Sequence, residues 1–134
     1  MPRVLIADDE ESMRTLVARA IAMDGHATVT AEDGAEALEI LVRENGAFDL
    51  LLTDIKMPVM DGIALALTVA ADFPDLTILL MTGFADQRER AHGLDALIYD
   101  VVPKPFSLDV LLAKVADALA GKPPEMPSLS KLAG

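Results

Sequence analysis

The sequence has no cysteine and no tryptophan among its 134 residues. Without cysteine, the chain has no disulfide scaffold, no thiolate zinc site and no cysteine nucleophile. Basic residues are also scarce, since 11 Lys and Arg stand against 22 Asp and Glu and the formal net charge is −11. This balance argues against direct nucleic-acid binding, which needs a basic surface.

Long hydrophobic runs are missing as well. No stretch approaches the roughly 18 uncharged apolar residues of a transmembrane helix. Met1-Pro2-Arg3 leads directly into a short apolar run, which does not resemble a signal peptide. We therefore expect a cytoplasmic protein with no membrane partner, and the length suits one domain.

What the sequence does contain is an alternation of short aliphatic segments with longer segments of helical periodicity. Five strands are predicted, at residues 4–7, 27–30, 50–53, 78–81 and 98–102. The first, third and fourth are almost wholly apolar, which is typical of central parallel strands covered on both faces. The second and fifth carry polar residues and are predicted nearer the edges of the sheet. This alternation predicts an α/β fold with a five-stranded parallel sheet.

Apolar residues at helical spacing predict a helix after each strand. The segment after the fourth strand, at residues 86–92, has the fewest apolar anchors. Ser107 is the predicted N-cap of the last helix, which ends near Leu119. Residues 121–134 differ in composition and hold three of the eight prolines, so we expect a domain at residues 1–120 and a flexible tail at residues 121–134.

Polar residues follow four of the five predicted strands. Because the carboxyl ends of parallel strands meet at one side of the sheet, where such folds bind ligands, we expect these side chains to converge. They are Asp8 and Asp9 after the first strand, Asp54 after the third, Thr82 after the fourth and Lys104 after the fifth.

Three converging carboxylates need a cation, since two like charges 4 Å apart repel by about 4 kcal/mol at an effective dielectric constant of 20. An all-oxygen site with few protein ligands suits magnesium, which keeps waters and binds phosphate oxygens. A lysine and a hydroxyl beside it stabilise a transferring phosphoryl group, and an aspartate carboxylate can accept that group covalently. The sequence therefore predicts a magnesium-dependent aspartyl phosphate on one of the three carboxylates.

From residue 3 to about residue 120, the sequence resembles the receiver domain of two-component response regulators. The matching segments are residues 4–10, 49–62, 80–83 and 104–106. The pattern Asp-x-x-Met-Pro-x-Met-Asp-Gly at residues 54–62, with Lys-Pro-Phe at residues 104–106, is highly specific to this family. The resemblance implies a doubly wound, flavodoxin-like sheet of order 2-1-3-4-5 with five helices distributed over both faces.

The resemblance also implies roles for individual residues. Asp54 would be the phosphoacceptor, and Thr82 and Lys104 would contact the phosphoryl oxygens. The magnesium ligands would be Asp8 (through water), Asp9, Asp54 and the backbone carbonyl of Lys56.

Two backbone features are expected around this site. In the loop after Asp54, Pro58 fixes its own φ and Gly62 permits a positive φ. The Lys104–Pro105 bond is a candidate cis peptide, as is well known in this family.

The chain departs from the family pattern at Val101, where members usually carry a tyrosine or phenylalanine that moves on activation. The only tyrosine is Tyr99, two residues earlier. Because strand side chains alternate, we expect Tyr99 and Val101 to share a face. Tyr99 would then either substitute for the missing aromatic residue or simply pack, and packing is the favoured interpretation.

The leading functional hypothesis is a phosphorylation-controlled signalling switch. A histidine kinase or histidine phosphotransfer protein would supply the phosphoryl group to Asp54, and a downstream protein effector would read the result. The fifteen residues after Leu119 cannot fold as an output domain, so we expect a stand-alone regulator, monomeric or dimerising on phosphorylation, without DNA-binding output. It would be no enzyme beyond its own phosphorylation and dephosphorylation.

Three other assignments are compared with this hypothesis. A haloacid-dehalogenase-type phosphatase needs Asp-x-Asp after its first strand, and Asp8-Asp9-Glu10 does not fit. A phosphorylation-independent adaptor on the same fold is the main alternative, although such domains normally lack part of the acidic and lysine set. Residues 82–85 and Val101 also resemble those of stand-alone regulators of the CpdR type, which act on a proteolytic pathway.

Overall fold

All five strands of the protein run parallel in a single sheet. The computed structural model describes residues 1–83, 91 and 93–122, so most of the predicted tail lies outside the described residues. The sheet has the order β2-β1-β3-β4-β5, which confirms the strand order that the family resemblance implied and the edge positions predicted for β2 and β5. The strands are β1 (Arg3–Ala7), β2 (Ala27–Ala31), β3 (Leu50–Asp54), β4 (Thr77–Thr82) and β5 (Asp100–Pro103).

Helices cover both faces of this sheet. Within the described residues there are four, and the fifth predicted helix, at residues 86–92, falls outside them except for Ala91. Ser107 caps the last helix as predicted, since its hydroxyl accepts the Val110 N–H at 3.2 Å. The four are α1 (Glu11–Met23), α2 (Gly34–Arg43), α3 (Gly62–Asp72) and α4 (Leu108–Leu119).

No helix among the described residues has the length and apolar character needed to cross a membrane.

The sheet separates two hydrophobic clusters. Alternate residues of each central strand point to opposite faces, so Leu51 packs with α2 and α3 while Leu50 and Leu52 pack with α1 and α4. Every residue of β3 is buried. Fully burying one such leucine contributes about 1.5–3 kcal/mol, so the apolar central strands stabilise both layers.

The fifth strand begins two residues later than predicted. Ile98 has a strand-like side chain, but its N–H donates to the Leu94 carbonyl at 3.1 Å and belongs to the preceding turn. As a result, Tyr99 precedes β5 and packs on the side of α1 and α4, whereas Val101 packs on the side of α2 and α3. The prediction that the two share a face is wrong, because strand alternation does not extend to Tyr99.

Tyr99 therefore does not substitute for an aromatic side chain at position 101. Its hydroxyl donates to the Lys122 carbonyl at 2.6 Å and links the start of β5 to the residues after α4. This contact agrees with the favoured interpretation that Tyr99 has a packing role.

The loop between β3 and α3 also differs from expectation. The residue with positive φ is Val59, at +68°, and not Gly62. The Met60 N–H donates to the Pro58 carbonyl at 2.7 Å, which closes a three-residue turn around Val59. Gly62 is required for a different reason, because a Cβ there would collide with the backbone carbonyl oxygen of Asp54.

Candidate functional site

The five polar residues predicted at the strand ends lie together at the carboxyl end of the sheet. Asp54 and Thr82 are the last residues of β3 and β4. Asp8 and Asp9 follow β1 directly, and Lys104 follows β5. The parallel topology brings these positions together because β1, β3, β4 and β5 are successive neighbours in the sheet.

Asp8 lies at the bottom of this group and is fully buried. Its backbone N–H donates to the Ala31 carbonyl at 3.1 Å, which extends the pairing of β1 with β2. Its Oδ1 atom accepts the Glu10 N–H at 2.9 Å. Its Oδ2 atom has no hydrogen-bond partner among the described residues. A buried carboxylate oxygen in this state indicates a place for a ligand.

Asp54 lies beside Asp8 and is only 8% exposed. Its Oδ1 atom accepts its neighbour Ile55's N–H at 2.9 Å and lies 3.3 Å from Lys104 Nζ. The same ammonium group is 3.8 Å from Asp8 Oδ2, so Lys104 faces both buried carboxylates. The Lys104 backbone is fixed as well, since its N–H donates to the Thr82 carbonyl at 2.6 Å.

The negative charges of the two buried carboxylates, Asp8 and Asp54, are unfavourable without a cation. Burial raises the pKa of Asp8 above its usual value of 3.8, against the hydrogen bond from Glu10 and the attraction of Lys104. Burial also raises the pKa of Asp54, again against Lys104. One lysine therefore does not compensate the two buried negative charges, and an added cation would favour their ionised forms.

The carboxylates fit a divalent ion. Asp8, Asp9 and Asp54 each place a carboxylate oxygen within 4.8 Å of the others. Asp9 is exposed, so this group is accessible from solvent on one side. All three donors are hard oxygens, which favour Mg²⁺, and the unpaired Oδ2 atom of Asp8 agrees with such a ligand.

The remaining predicted site residues are placed as follows. Thr82 is buried and its Oγ1 atom has no hydrogen-bond partner in the described part of the chain. Lys56 is exposed and lines the cleft above Asp54, while the role of its carbonyl stays a prediction. The Lys104–Pro105 bond is cis, as predicted. Residues 84 and 85, part of the CpdR-type resemblance, lie outside the described residues.

The cleft above the acidic group has a volume of about 480 Å³. Its polar lining includes Asp9 and Lys56, and one apolar wall is formed by Met13 and Phe106. The arrangement can hold a divalent cation at its base and a phosphate-sized group between the lysine and the carboxylates.

One contact at this site was not predicted from the sequence. Arg14 Nη1 donates to the backbone carbonyl of Asp8 at 2.8 Å, and Arg14 Nη2 lies 3.8 Å from a Glu32 carboxylate oxygen. A signal was available, since a basic residue near a helix N-terminus opposes the helix dipole and needs a specific partner.

Comparison with known proteins identifies the family. The sequence profile of the response regulator receiver domain matches residues 4–116. The response regulator MprA of Mycobacterium leprae is 36% identical over 123 residues, which are 92% of this chain and 53% of MprA. The chain therefore spans about half the length of the curated relatives it matches.

Solved structures agree with this assignment. The response regulator TrrA of Thermotoga maritima, solved in complex with Mg²⁺ and BeF, superposes with a TM-score of 0.78 at 31% identity, over 88% of this chain and 99% of TrrA. A receiver domain protein of Clostridium thermocellum has a TM-score of 0.83 at 21% identity, over 90% and 96% of the two chains, and shows the same fold. The protein belongs to the receiver domain family of response regulators, the phosphorylation-dependent switches of two-component signalling.

Proposed function

We propose that the protein is a signalling switch that accepts a phosphoryl group on Asp54 from the phosphohistidine of a histidine kinase or phosphotransfer protein. The observation that carries this proposal is the position of the Asp54 carboxylate, 3.3 Å from Lys104 Nζ and grouped with Asp8 and Asp9. Attack, charge compensation and metal binding would all occur at this one group.

In the proposed reaction a carboxylate oxygen of Asp54 attacks phosphorus. The new oxygen–phosphorus bond forms as the nitrogen–phosphorus bond of the donor breaks, and the bonding pair and a proton from solvent go to the imidazole. Because Asp54 Oδ1 is held by the Ile55 N–H and faces Lys104, Oδ2 is the attacking atom. The carboxylate is oriented before the donor arrives, which lowers the entropic part of the barrier.

Charge on the transferring group is compensated by the surrounding residues. Lys104 supplies an ammonium group, and the Thr82 hydroxyl, which has no partner among the described residues, supplies a donor to a phosphoryl oxygen. Mg²⁺ held by Asp8, Asp9, Asp54 and the Lys56 carbonyl would neutralise the excess negative charge there. That TrrA binds Mg²⁺ together with BeF supports this ligand.

The proposed output of the switch is a change in a protein-binding surface. We place the receiver domain at residues 1–120, in the cytoplasm, and a separate C-terminal segment at residues 121–134. Its excess of acidic residues, 22 against 11 basic ones, favours a protein effector over nucleic acid. Phosphorylation would add charge at the carboxyl end of the sheet and thereby change a protein-binding surface, in a monomer or through dimerisation.

The test is mass spectrometry of the intact protein after incubation with acetyl phosphate and Mg²⁺. The wild type is expected to gain one phosphoryl group and Asp54→Asn none. The matched control is Asp49→Asn, which changes an aspartate at the opposite end of β3 and leaves phosphorylation intact.

Persistent single phosphorylation of Asp54→Asn would place the acceptor elsewhere. No phosphorylation of any folded variant would contradict the proposal and favour the phosphorylation-independent adaptor.

A further inference from the structure

Asp8 has one polar atom that receives no hydrogen bond from the described residues, although Lys104 Nζ lies 3.8 Å from it. Its N–H, its Oδ1 atom and its carbonyl oxygen are bonded to Ala31, Glu10 and Arg14, respectively. Only Oδ2 has no hydrogen-bond partner among the described residues. Of these three contacts, the one to Arg14 alone comes from a side chain, so a substitution can remove it without changing the backbone.

Arg14 contacts the peptide group that connects the two acidic residues after β1. The carbonyl it binds belongs to the peptide that joins Asp8 to Asp9, and a peptide unit is planar. Holding that oxygen at 2.8 Å therefore fixes the plane from which both acidic side chains leave the chain. The bond is charge-assisted and its donor side chain is only 14% exposed, so the plane is held firmly.

We propose that Arg14 is a positioning residue for the magnesium site, which holds the Asp8–Asp9 peptide in the orientation that lets both carboxylates bind the cation. This inference rests on the proposed function, because it assumes that the group of Asp8, Asp9 and Asp54 binds Mg²⁺. Arg14 does not contact the ion or the phosphoryl group. It acts through the backbone of two residues that do.

The direction in which Mg²⁺ affinity changes on substitution of Arg14 distinguishes a positioning role from a purely electrostatic one. Removing a positive charge near three carboxylates would by itself strengthen the binding of a cation. Loss of orientation acts in the other direction, and residues that orient metal ligands typically contribute about 10- to 100-fold to affinity. Weaker Mg²⁺ binding in an Arg14 variant is therefore a result that lost charge cannot produce.

The chain offers a matched control in Arg3. Its Nη1 atom also donates to a backbone carbonyl, that of Ala47 at 2.7 Å, and its Nη2 atom also meets a glutamate, Glu44, at 2.7 Å. Arg3 lies at the start of β1, at the end of the sheet away from the acidic group. Arg3→Met thus removes the same kinds of contact without touching the site.

The experiment is an Mg²⁺ titration of the ¹⁵N-labelled full chain, followed by amide resonances, for the wild type, Arg14→Met and Arg3→Met. Arg14→Met is expected to bind Mg²⁺ about tenfold more weakly, and Arg3→Met as tightly as the wild type. Phosphorylation by acetyl phosphate should show the same pattern, because Arg14→Met needs more Mg²⁺ but reaches the wild-type rate at saturation.

Unchanged or tighter Mg²⁺ binding by folded Arg14→Met would overturn the inference while leaving the proposed function intact. An equal loss in Arg3→Met would overturn it too, since the effect would then be a general loss of stability. Should Arg14→Met fail to fold, Arg14→Ala, which has no side-chain donor and a high helix propensity, is titrated instead, with the same tenfold loss expected and the same results contradicting it. If the wild type itself binds no Mg²⁺, the proposed function and this inference fail together.

Discussion

The acidic groups at the two ends of the sheet have opposite surroundings. At the amino end, Arg3 donates its backbone N–H to Asp49 at 2.8 Å and its guanidinium to Glu44 at 2.7 Å, and Tyr99 donates to the Lys122 carbonyl at 2.6 Å. At the carboxyl end, Asp8 Oδ2 and Thr82 Oγ1 are buried and have no hydrogen-bond partner in the described part of the chain.

The difference shows which acidic groups stabilise the fold and which are available to a ligand. A buried polar atom without a partner typically costs about 1–3 kcal/mol, so one that persists needs an explanation. The carboxylates of Asp49 and Glu44 at the amino end accept hydrogen bonds from the protein itself. The ring nitrogens of His26, also at that end, have no hydrogen-bond partner among the described residues, so the contrast applies to the acidic groups. The acidic groups at the carboxyl end surround the base of the open cleft. The next three substitutions test this contrast.

The largest effect is expected from adding one methyl group at the carboxyl end. In Gly62→Ala the new Cβ collides with the backbone carbonyl of Asp54, and neither backbone segment can easily move. We expect a loss of about 3 kcal/mol or more in the free energy of unfolding, measured by urea denaturation. The control at the amino end is Gly25→Ala, where φ is +97° but the space is open, with an expected loss of about 1 kcal/mol. Equal losses would show that Gly62 has no special contact.

A smaller effect of opposite sign is expected from neutralising a buried acid. Because burial holds the pKa of Asp8 above 3.8, its favourable contribution to stability is present below that pH and is lost as the pH rises through the folded-state pKa. Asp8→Asn, which keeps the shape and can still accept from Glu10, should therefore stabilise the metal-free protein at pH 7 by about 1 kcal/mol. The gain should vanish near pH 4.

Mg²⁺ should then make the wild type more stable than Asp8→Asn, which reverses their order without the metal. At ten times its dissociation constant, a ligand stabilises the folded state by about 1.4 kcal/mol, and Asp8→Asn would receive little of this. Thermal denaturation with and without Mg²⁺ measures both effects. At the amino end, Asp49→Asn should destabilise slightly and respond to Mg²⁺ as the wild type does. A metal-free Asp8→Asn that is less stable than the wild type at pH 7 would contradict the contrast.

The smallest effect is expected for Tyr99→Phe at the amino end. The substitution removes only the hydroxyl that donates to the Lys122 carbonyl, and because this hydrogen bond is exposed we expect a loss of about 0.5 kcal/mol, the low end of the usual contribution. The rate of phosphorylation by acetyl phosphate and its Mg²⁺ dependence should not change. An altered rate would show that Tyr99 acts at the site after all.

The placement of the site could be predicted because it depends on topology. Once strands 1, 3, 4 and 5 were predicted as parallel, Asp8, Asp54, Thr82 and Lys104 had to lie at the same edge of the sheet. The strand order that the family resemblance implied then made their strands neighbours. Features set by close tertiary contact could not be predicted in this way. Gly62 is needed because α3 begins directly against the Asp54 carbonyl, and no local pattern records that distance.

Two further differences have the same origin. Ile98 is apolar and β-branched, so sequence favours a strand, but the turn at Leu94 binds its N–H and delays β5 by two residues. The position of Arg14 near the start of α1 indicates that it needs a partner, but which partner could not be predicted, because a backbone carbonyl leaves no trace in side-chain spacing. Patterns of side chains therefore predicted the scaffold, whereas backbone contacts determined the details around the acidic group.

The burial of β3 on both faces has a consequence for how the acceptor is aimed. Leu50, Leu51 and Leu52 offer the same side chain to either hydrophobic cluster. The side-chain pattern therefore opposes a one-residue shift of this strand only at the ends of the run, where Asp49 or Thr53 would replace a leucine. Such a slip would turn the Asp54 carboxylate to the wrong side of the sheet. The close contact between Gly62 and the Asp54 carbonyl opposes such a slip as well, so the acceptor's own backbone helps to set the register that orients its side chain.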